Sequence, residues 1–204
     1  MQVNVLPVGM LQTNCYILSA GDNTAVIVDP GDEAQRIIRF VESHGLAVKA
    51  IWLTHGHFDH IEAALPLKEA FSCPIIACKC EQLLLSDPML NLSGHFTDHR
   101  VSITADVCYD DGDTFIFSGE TVRVLHTPGH TSGSCCYLVN DMLFSGDTLF
   151  QSSIGCTDFP TGDIRAIQMS LGRLASLDDN ITVYPGHGPI TDLYTEKQQN
   201  PYMQ

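Results

Sequence analysis

The chain has 204 residues, 44% hydrophobic and 17% charged, a balance that fits a packed domain and excludes a disordered chain. Its 24 acidic residues outnumber 10 basic ones for a formal charge of −14. That excess argues against nucleic acid and anionic membrane surfaces as partners, because both require basic patches.

Surface scaling at this length predicts that about seven tenths of the unfolded surface is buried, enough for the core of a single domain spanning 1–204. The predicted elements begin with short β-type runs, "MQVNVLPV", "TNCYILSA" and "TAVIVDPG", the last closed by a Pro-Gly turn. "DEAQRIIRFVESHG" places Ile37, Ile38 and Val41 at helical spacing and ends on glycine. "KAIWLTH" is a buried-type strand; "IEAALPLKEAF" is an amphipathic helix that Pro66 is expected to kink or divide. "CPIIACK" returns as a strand and "CEQLLLSD" as a short helix.

Residues 88–106 have no clear period and are expected to form an extended surface loop, with His95 and His99 as surface histidines. The second half continues with the strands "DTFIFSG", "ETVRVLHTPG", "SCCYLVN" and "DMLFSGDTLF". A helix capped by Asp163 follows at "DIRAIQMSLGRLASL", then the strand "NITVYPGHG" and a short polar tail. Strand runs in both halves with helices between them predict two packed sheets with helices outside.

No apolar stretch approaches the roughly 20 residues of a membrane span. "MQVNVLPVGM" lacks the basic start and apolar run of a secretory signal, so a cytoplasmic location is expected. The eight cysteines are then expected as thiols. Neither Cys78-x-Cys80 nor Cys135-Cys136 has the two-residue gap of zinc-ribbon or thioredoxin motifs, which points to buried strand cysteines.

"WLTHGHFDH" crowds His55, His57, Asp59 and His60 directly after an apolar strand. Three further candidates repeat that placement: His130 in "TPGHTSG", Asp147 in "FSGDT" and His187 in "YPGHGP", each beside a glycine. Strands that end in glycine turns would deliver these side chains to one edge of the sheets. Five imidazoles and two carboxylates suit zinc, iron or manganese, and the lack of cysteine ligands argues against a closed structural zinc site. Seven donors exceed the needs of one tetrahedral ion, so two ions are implied, with a carboxylate such as Asp147 able to bridge them. Asp29 in "VDPG" reads as a turn residue or as a support for the ligands.

"THGHFDH" at 54–60, "PGHT" at 128–131, "SGDT" at 145–148 and "PGHG" at 185–188 together resemble the metallo-β-lactamase-fold hydrolases. Within them the chain resembles the glyoxalase II-like branch of small zinc hydrolases, through "TNCYIL", "VDPG", "TDFPTGD" and "NPYM" as well. The resemblance implies an α/β fold, the αββα sandwich of two mixed β-sheets flanked by helices. It also implies a ligand set: His55, His57 and His130 for the first ion, Asp59, His60 and His187 for the second, with Asp147 shared. The expected cofactors are two divalent ions, zinc first, with iron or manganese accepted by the same donors. Asp59 would also be catalytically essential.

The implied activity is thioester hydrolysis, with a hydroxide held between the ions attacking an acylglutathione-like carbonyl; the thiolate leaves without a general acid. The alternative is a mononuclear iron persulfide dioxygenase, which the ligand residues alone do not separate from it. Two features depart from the family pattern. Full-length glyoxalase II-like enzymes carry a C-terminal helical domain that holds glutathione, whereas only a short tail follows His187. Cys156, in "SSIGCTDFP", stands where the pattern has arginine and is a candidate substrate-binding residue at the mouth of the site.

Overall fold

The computed structural model describes residues 1–204, which form two compact units. The first comprises Met1–Ala77 and Gln82–Cys108; the second comprises Cys78–Glu81 and Tyr109–Gln204.

The first sheet has six strands in the order β1 (Gln2–Val8), β2 (Thr13–Ser19), β3 (Thr24–Val28), β4 (Ala47–Trp52), β5 (Ile75–Cys78) and β6 (Val107–Tyr109). β1, β2 and β3 pair antiparallel, whereas β4 runs parallel to both β3 and β5. β2 is buried along its whole length, and β3 and the end of β4 are continuous apolar runs, as expected of strands covered on both faces. This topology has one consequence for chemistry. The start of β2 and the ends of β3 and β4 lie at the same sheet edge, which gathers Thr13, Asp29 and His55 from distant positions in the chain.

Helix α1 (Ala34–Ser43) buries Ile37 and Val41, which join Ile17, Ile27, Ile51 and Leu67 in the core of this unit. The amphipathic stretch 61–71 is not divided at Pro66 as expected: α2 (Phe58–Ile61) ends where the stretch begins, and α3 (Ala64–Phe71) runs unbroken through the proline. Pro66 sits in the first turn of α3, where the backbone N–H groups have no intrahelical acceptor and proline removes no bond. The segment 79–86 winds as a 3₁₀ turn (Lys79–Glu81) followed by α4 (Gln82–Ser86).

Residues 88–106 differ from the expected surface loop. They contain α5 (Ser93–Phe96), and Asn91, Leu92, Ser93, Ile103 and Ala105 are buried. The anchor is Asn91, whose side chain accepts from Ser93 N at 3.0 Å and donates to Val101 O at 2.8 Å. A side chain that satisfies backbone groups on both sides holds a segment without any periodic signal.

The second sheet also has six strands: β7 (Thr114–Phe117), β8 (Glu120–His126), β9 (Cys135–Val139), β10 (Met142–Gly146), β11 (Thr182–Pro185) and β12 (Thr191–Asp192), the last at one edge. Only the β10–β11 pair is parallel; each other neighbouring pair is antiparallel. β8, β10 and β11 therefore end at one sheet edge, ahead of His130, Asp147 and His187. Helix α6 (Ile164–Ala175) starts at Asp163, whose carboxylate accepts from Arg165 N and Ala166 N, as expected of an N-cap. Its buried face, Leu171 and Leu174, packs with Leu125, Leu143 and Val183. The closing tail is more ordered than its polarity suggests: β12 leads into α7 (Leu193–Gln199), where buried Glu196 accepts from Thr191 Oγ1 at 2.6 Å and from Ser152 N at 2.8 Å.

Candidate metal centre

In the first unit, β4 delivers Thr54 and His55 to the sheet edge, and the chain turns through His57 into α2. His55, His57 and His60 are buried, with the His55 ring centroid 4.9 Å from that of His57 and 4.1 Å from that of His60. Such a cluster is costly if the rings charge, and it suits neutral imidazoles offering lone pairs.

Asp29 organises the cluster. Its Oδ1 accepts from Thr54 N at 2.8 Å, and its Oδ2 accepts from Thr54 Oγ1 at 2.6 Å. The same Oδ2 lies 3.1 Å from His60 Nδ1. A carboxylate facing Nδ1 favours the proton there and the lone pair on Nε2. That Nε2 is 3.5 Å from Asp59 Oδ2, which Thr13 Oγ1 holds with a 2.8 Å hydrogen bond. Asp29 thus ties the backbone and hydroxyl of Thr54 to the position of His60. Thr13 and Thr54 carry no sequence signal beyond their places in "TNCYIL" and "LTH".

In the second unit, Asp147 Oδ2 lies 3.5 Å from His130 Nε2 and 3.6 Å from His187 Nε2. His130 Nδ1 donates to the Cys156 carbonyl at 2.6 Å, which again leaves Nε2 as the lone-pair nitrogen. Cys156 reaches His130 through its backbone. Its thiol turns to Asp158, at 3.5 Å from Asp158 N and 3.7 Å from Oδ2, and the residue is exposed. A Cβ on Gly155 would stand 2.0 Å from Asp147 O and 2.9 Å from His130 Nδ1. Only glycine lets this loop approach so closely.

These separations test whether the residues fit an ion. Donors bound at 2.0–2.1 Å around a tetrahedral cation stand about 3.3–3.4 Å apart, whereas a hydrogen bond brings N and O to about 2.9 Å. The three imidazole–carboxylate distances, 3.5, 3.5 and 3.6 Å, match the ligand spacing and exceed the hydrogen-bond range. The spacing of these His and Asp donors therefore fits divalent-cation ligands.

Asp29→Asn keeps the size of the side chain and the left-handed backbone (φ 48°) that asparagine tolerates. It removes one carboxylate oxygen that now faces His60 Nδ1. Metal affinity is expected to fall by about 10- to 100-fold, read by competition with a chelator. An unchanged affinity would assign Asp29 to the turn alone.

His95 and His99 are exposed, in line with the sequence reading. Cys135 and Cys136 are buried in β9 as expected, but Cys80 is exposed, because the chain leaves β5 at Cys78 and enters the 3₁₀ turn. All eight cysteines are free thiols. No helix is long and apolar enough to cross a membrane.

Comparison with known proteins agrees with this geometry. The family model described as the metallo-beta-lactamase superfamily matches residues 8–187. Hydroxyacylglutathione hydrolase GloC from Haemophilus influenzae is 34% identical over 208 residues, covering 100% of this chain and 98% of that protein. The crystal structure of BLEG-1 B3 metallo-beta-lactamase is 37% identical with a TM-score of 0.94, covering 100% of both chains. The structure of TTHA1623 in a di-iron-bound form is 34% identical with a TM-score of 0.88, covering 98% of this chain and 100% of that one. With two mixed sheets, helices on them and a His/Asp metal-binding cluster, the chain belongs to the metallo-β-lactamase superfamily.

Proposed function

We propose that the protein is a dinuclear metal-dependent thioester hydrolase of glyoxalase II type, acting on a small acyl-thioester. One ion is assigned to His55, His57 and His130, the other to Asp59, His60 and His187, with Asp147 shared. The observation that carries the reading is Asp147, whose Oδ2 stands at nearly equal distances, 3.5 and 3.6 Å, from two imidazole nitrogens assigned to different ions.

Bound divalent ions supply Lewis acidity and lower the pKa of water from 15.7 to about 7. The chain's own residues supply orientation. The Cys156 carbonyl holds the proton of His130 on Nδ1, so that Nε2 keeps its lone pair, and the Asp29 carboxylate faces His60 Nδ1 and favours the same arrangement there. Thr13 fixes the Asp59 carboxylate. A thioester fits this set because its leaving thiolate needs no protonated side chain. The likeness to a hydroxyacylglutathione hydrolase supports the same substrate class. Zinc is the first choice of ion, and the di-iron form of a relative makes iron the second. The free cysteines accord with a cytoplasmic location.

The test pairs elemental analysis of the purified protein with three assays: acylglutathione and acyl-coenzyme A thioesters, β-lactams, and oxygen uptake with glutathione persulfide. About two ions per chain with thioester turnover is the expected result. Turnover of β-lactams alone would replace thioesters as the substrate class. A single iron with oxygen uptake would replace hydrolysis by persulfide oxidation.

A further inference from the structure

A second group of metal-type donors lies wholly within the second unit, on residues that the His/Asp set does not use. The ligand atoms of Cys78, Cys80 and His126 all lie within 4.8 Å of one another. Cys78 ends β5 and Cys80 lies in the 3₁₀ turn that follows it. Cys78 is buried, His126 is half-buried and Cys80 is exposed, so the group is reachable from solvent on one side.

His126 is held for such a role. Its backbone N–H donates to Asp111 Oδ1 at 2.9 Å, and its carbonyl accepts from Arg173 at 3.0 Å. Arg173 also pairs with Asp111 at 2.6 Å, which closes the clamp. The ring Nε2 lies 2.9 Å from the Ser132 carbonyl oxygen. A carbonyl can only accept, so Nε2 carries the hydrogen and Nδ1 the lone pair. This arrangement is typical of a metal-bound histidine, whose other nitrogen donates to a backbone carbonyl.

The cysteine side is equally fixed. Buried Glu81, next to Cys80, accepts from Thr131 Oγ1 at 2.8 Å. A Cβ on Gly133 would stand 2.3 Å from Glu81 N and 2.5 Å from the Cys80 carbonyl carbon, so the 131–134 loop packs directly on this turn.

We propose that Cys78, Cys80 and His126 form a second metal site, separate from the His/Asp cluster, that takes one thiophilic d¹⁰ cation such as Zn²⁺ or Cu⁺. Two soft thiolates and one imidazole select such ions over the oxygen-seeking Mg²⁺ and Mn²⁺. The site leaves a coordination position open towards solvent at Cys80. Binding releases the thiol protons, as metal–thiolate formation requires. Burial pushes the Cys78 thiol up to about 12, which keeps it protonated and unreactive until a cation displaces the proton.

Cd²⁺ is the probe, because thiolate-to-cadmium charge transfer absorbs in the ultraviolet and the His/Asp cluster has no thiolate. The metal-loaded, fully reduced protein is titrated with Cd²⁺ alone. The expected result is a charge-transfer band that saturates at about one equivalent, disappears in Cys80→Ser and weakens in His126→Gln. Cys108→Ser, which removes another exposed thiol, is expected to leave the titration unchanged. Because Cys80 is exposed, its substitution tests the site without opening a core cavity. The proposal is overturned if no band forms at one equivalent, or if Cys80→Ser titrates like the parent. A Cys78–Cys80 disulfide in the purified chain would also overturn it.

Discussion

Asp59→Ala is expected to leave about one divalent ion per chain in place of about two, and to lower thioester turnover by about three decades. Asp59 Oδ2 stands 3.5 Å from His60 Nε2 and is aimed by Thr13. In the proposed assignment, alanine removes the carboxylate of the second ion's set and leaves two histidines and the shared Asp147. Loss of Lewis acidity worth several kcal/mol corresponds to a rate loss of this size, since each 1.36 kcal/mol is tenfold. Thr13→Val, which removes only the hydroxyl that positions Asp59, is expected to cost less, about tenfold in affinity for the second ion. Elemental analysis and turnover are read on the same preparations. Full turnover by Asp59→Ala with one ion bound would refute the two-ion reading.

The second large effect is on stability. An alanine Cβ at Gly31 would stand 1.6 Å from the Asp59 carbonyl oxygen and 2.6 Å from its carbonyl carbon. Neither atom belongs to a flexible side chain, so the backbone of the ligand turn or of the β3–α1 connection must move. Overpacking of this severity costs about 3 kcal/mol or more, which for a chain of this size lowers Tm by roughly 6–12 °C. Gly31→Ala is therefore expected to melt early and to lose the second ion together with the fold around Asp59. Gly21→Ala is the control: nothing lies within 4 Å of its Cβ position, and its melting temperature is expected to stay level or rise slightly. If both variants melt with the wild type, the close approach of Gly31 to Asp59 is wrong.

These two expectations differ in how far the sequence could see them. Asp59 is legible because its chemistry is local: H-x-H-x-D-H puts four donors into one turn after an apolar strand. His130, Asp147 and His187 are legible for the same reason, each following a strand and flanked by glycine. The clash at Gly31 is not legible, since "VDPGD" reads as an ordinary turn until the turn is packed against Asp59. Pro66 shows the same limit in a helix. Its presence signals a break, but whether it lies inside a helix or in a first turn depends on where the preceding ligand turn ends.

The segment 88–106 and the C-terminal tail lack hydrophobic period. Their order comes from polar side chains, Asn91 in one and Glu196 in the other, that bond to backbone groups far along the chain. Periodicity detects apolar burial and is blind to such anchors.

By itself, then, the sequence determined the fold class and the alternation of strands and helices, and it singled out the seven candidate donors of the proposed His/Asp set. These follow from apolar period and from short motifs whose chemistry needs only neighbouring residues. The tertiary structure alone decided which groups orient those donors and what else they could be near. Asp29 meets Thr54, 25 residues away, because β3 and β4 are parallel neighbours that end at the same edge. Cys78 and Cys80 meet His126 because the 131–134 loop folds back onto the turn after β5. Partnership across such distances is set by strand register and loop packing, which no local pattern of residue types encodes.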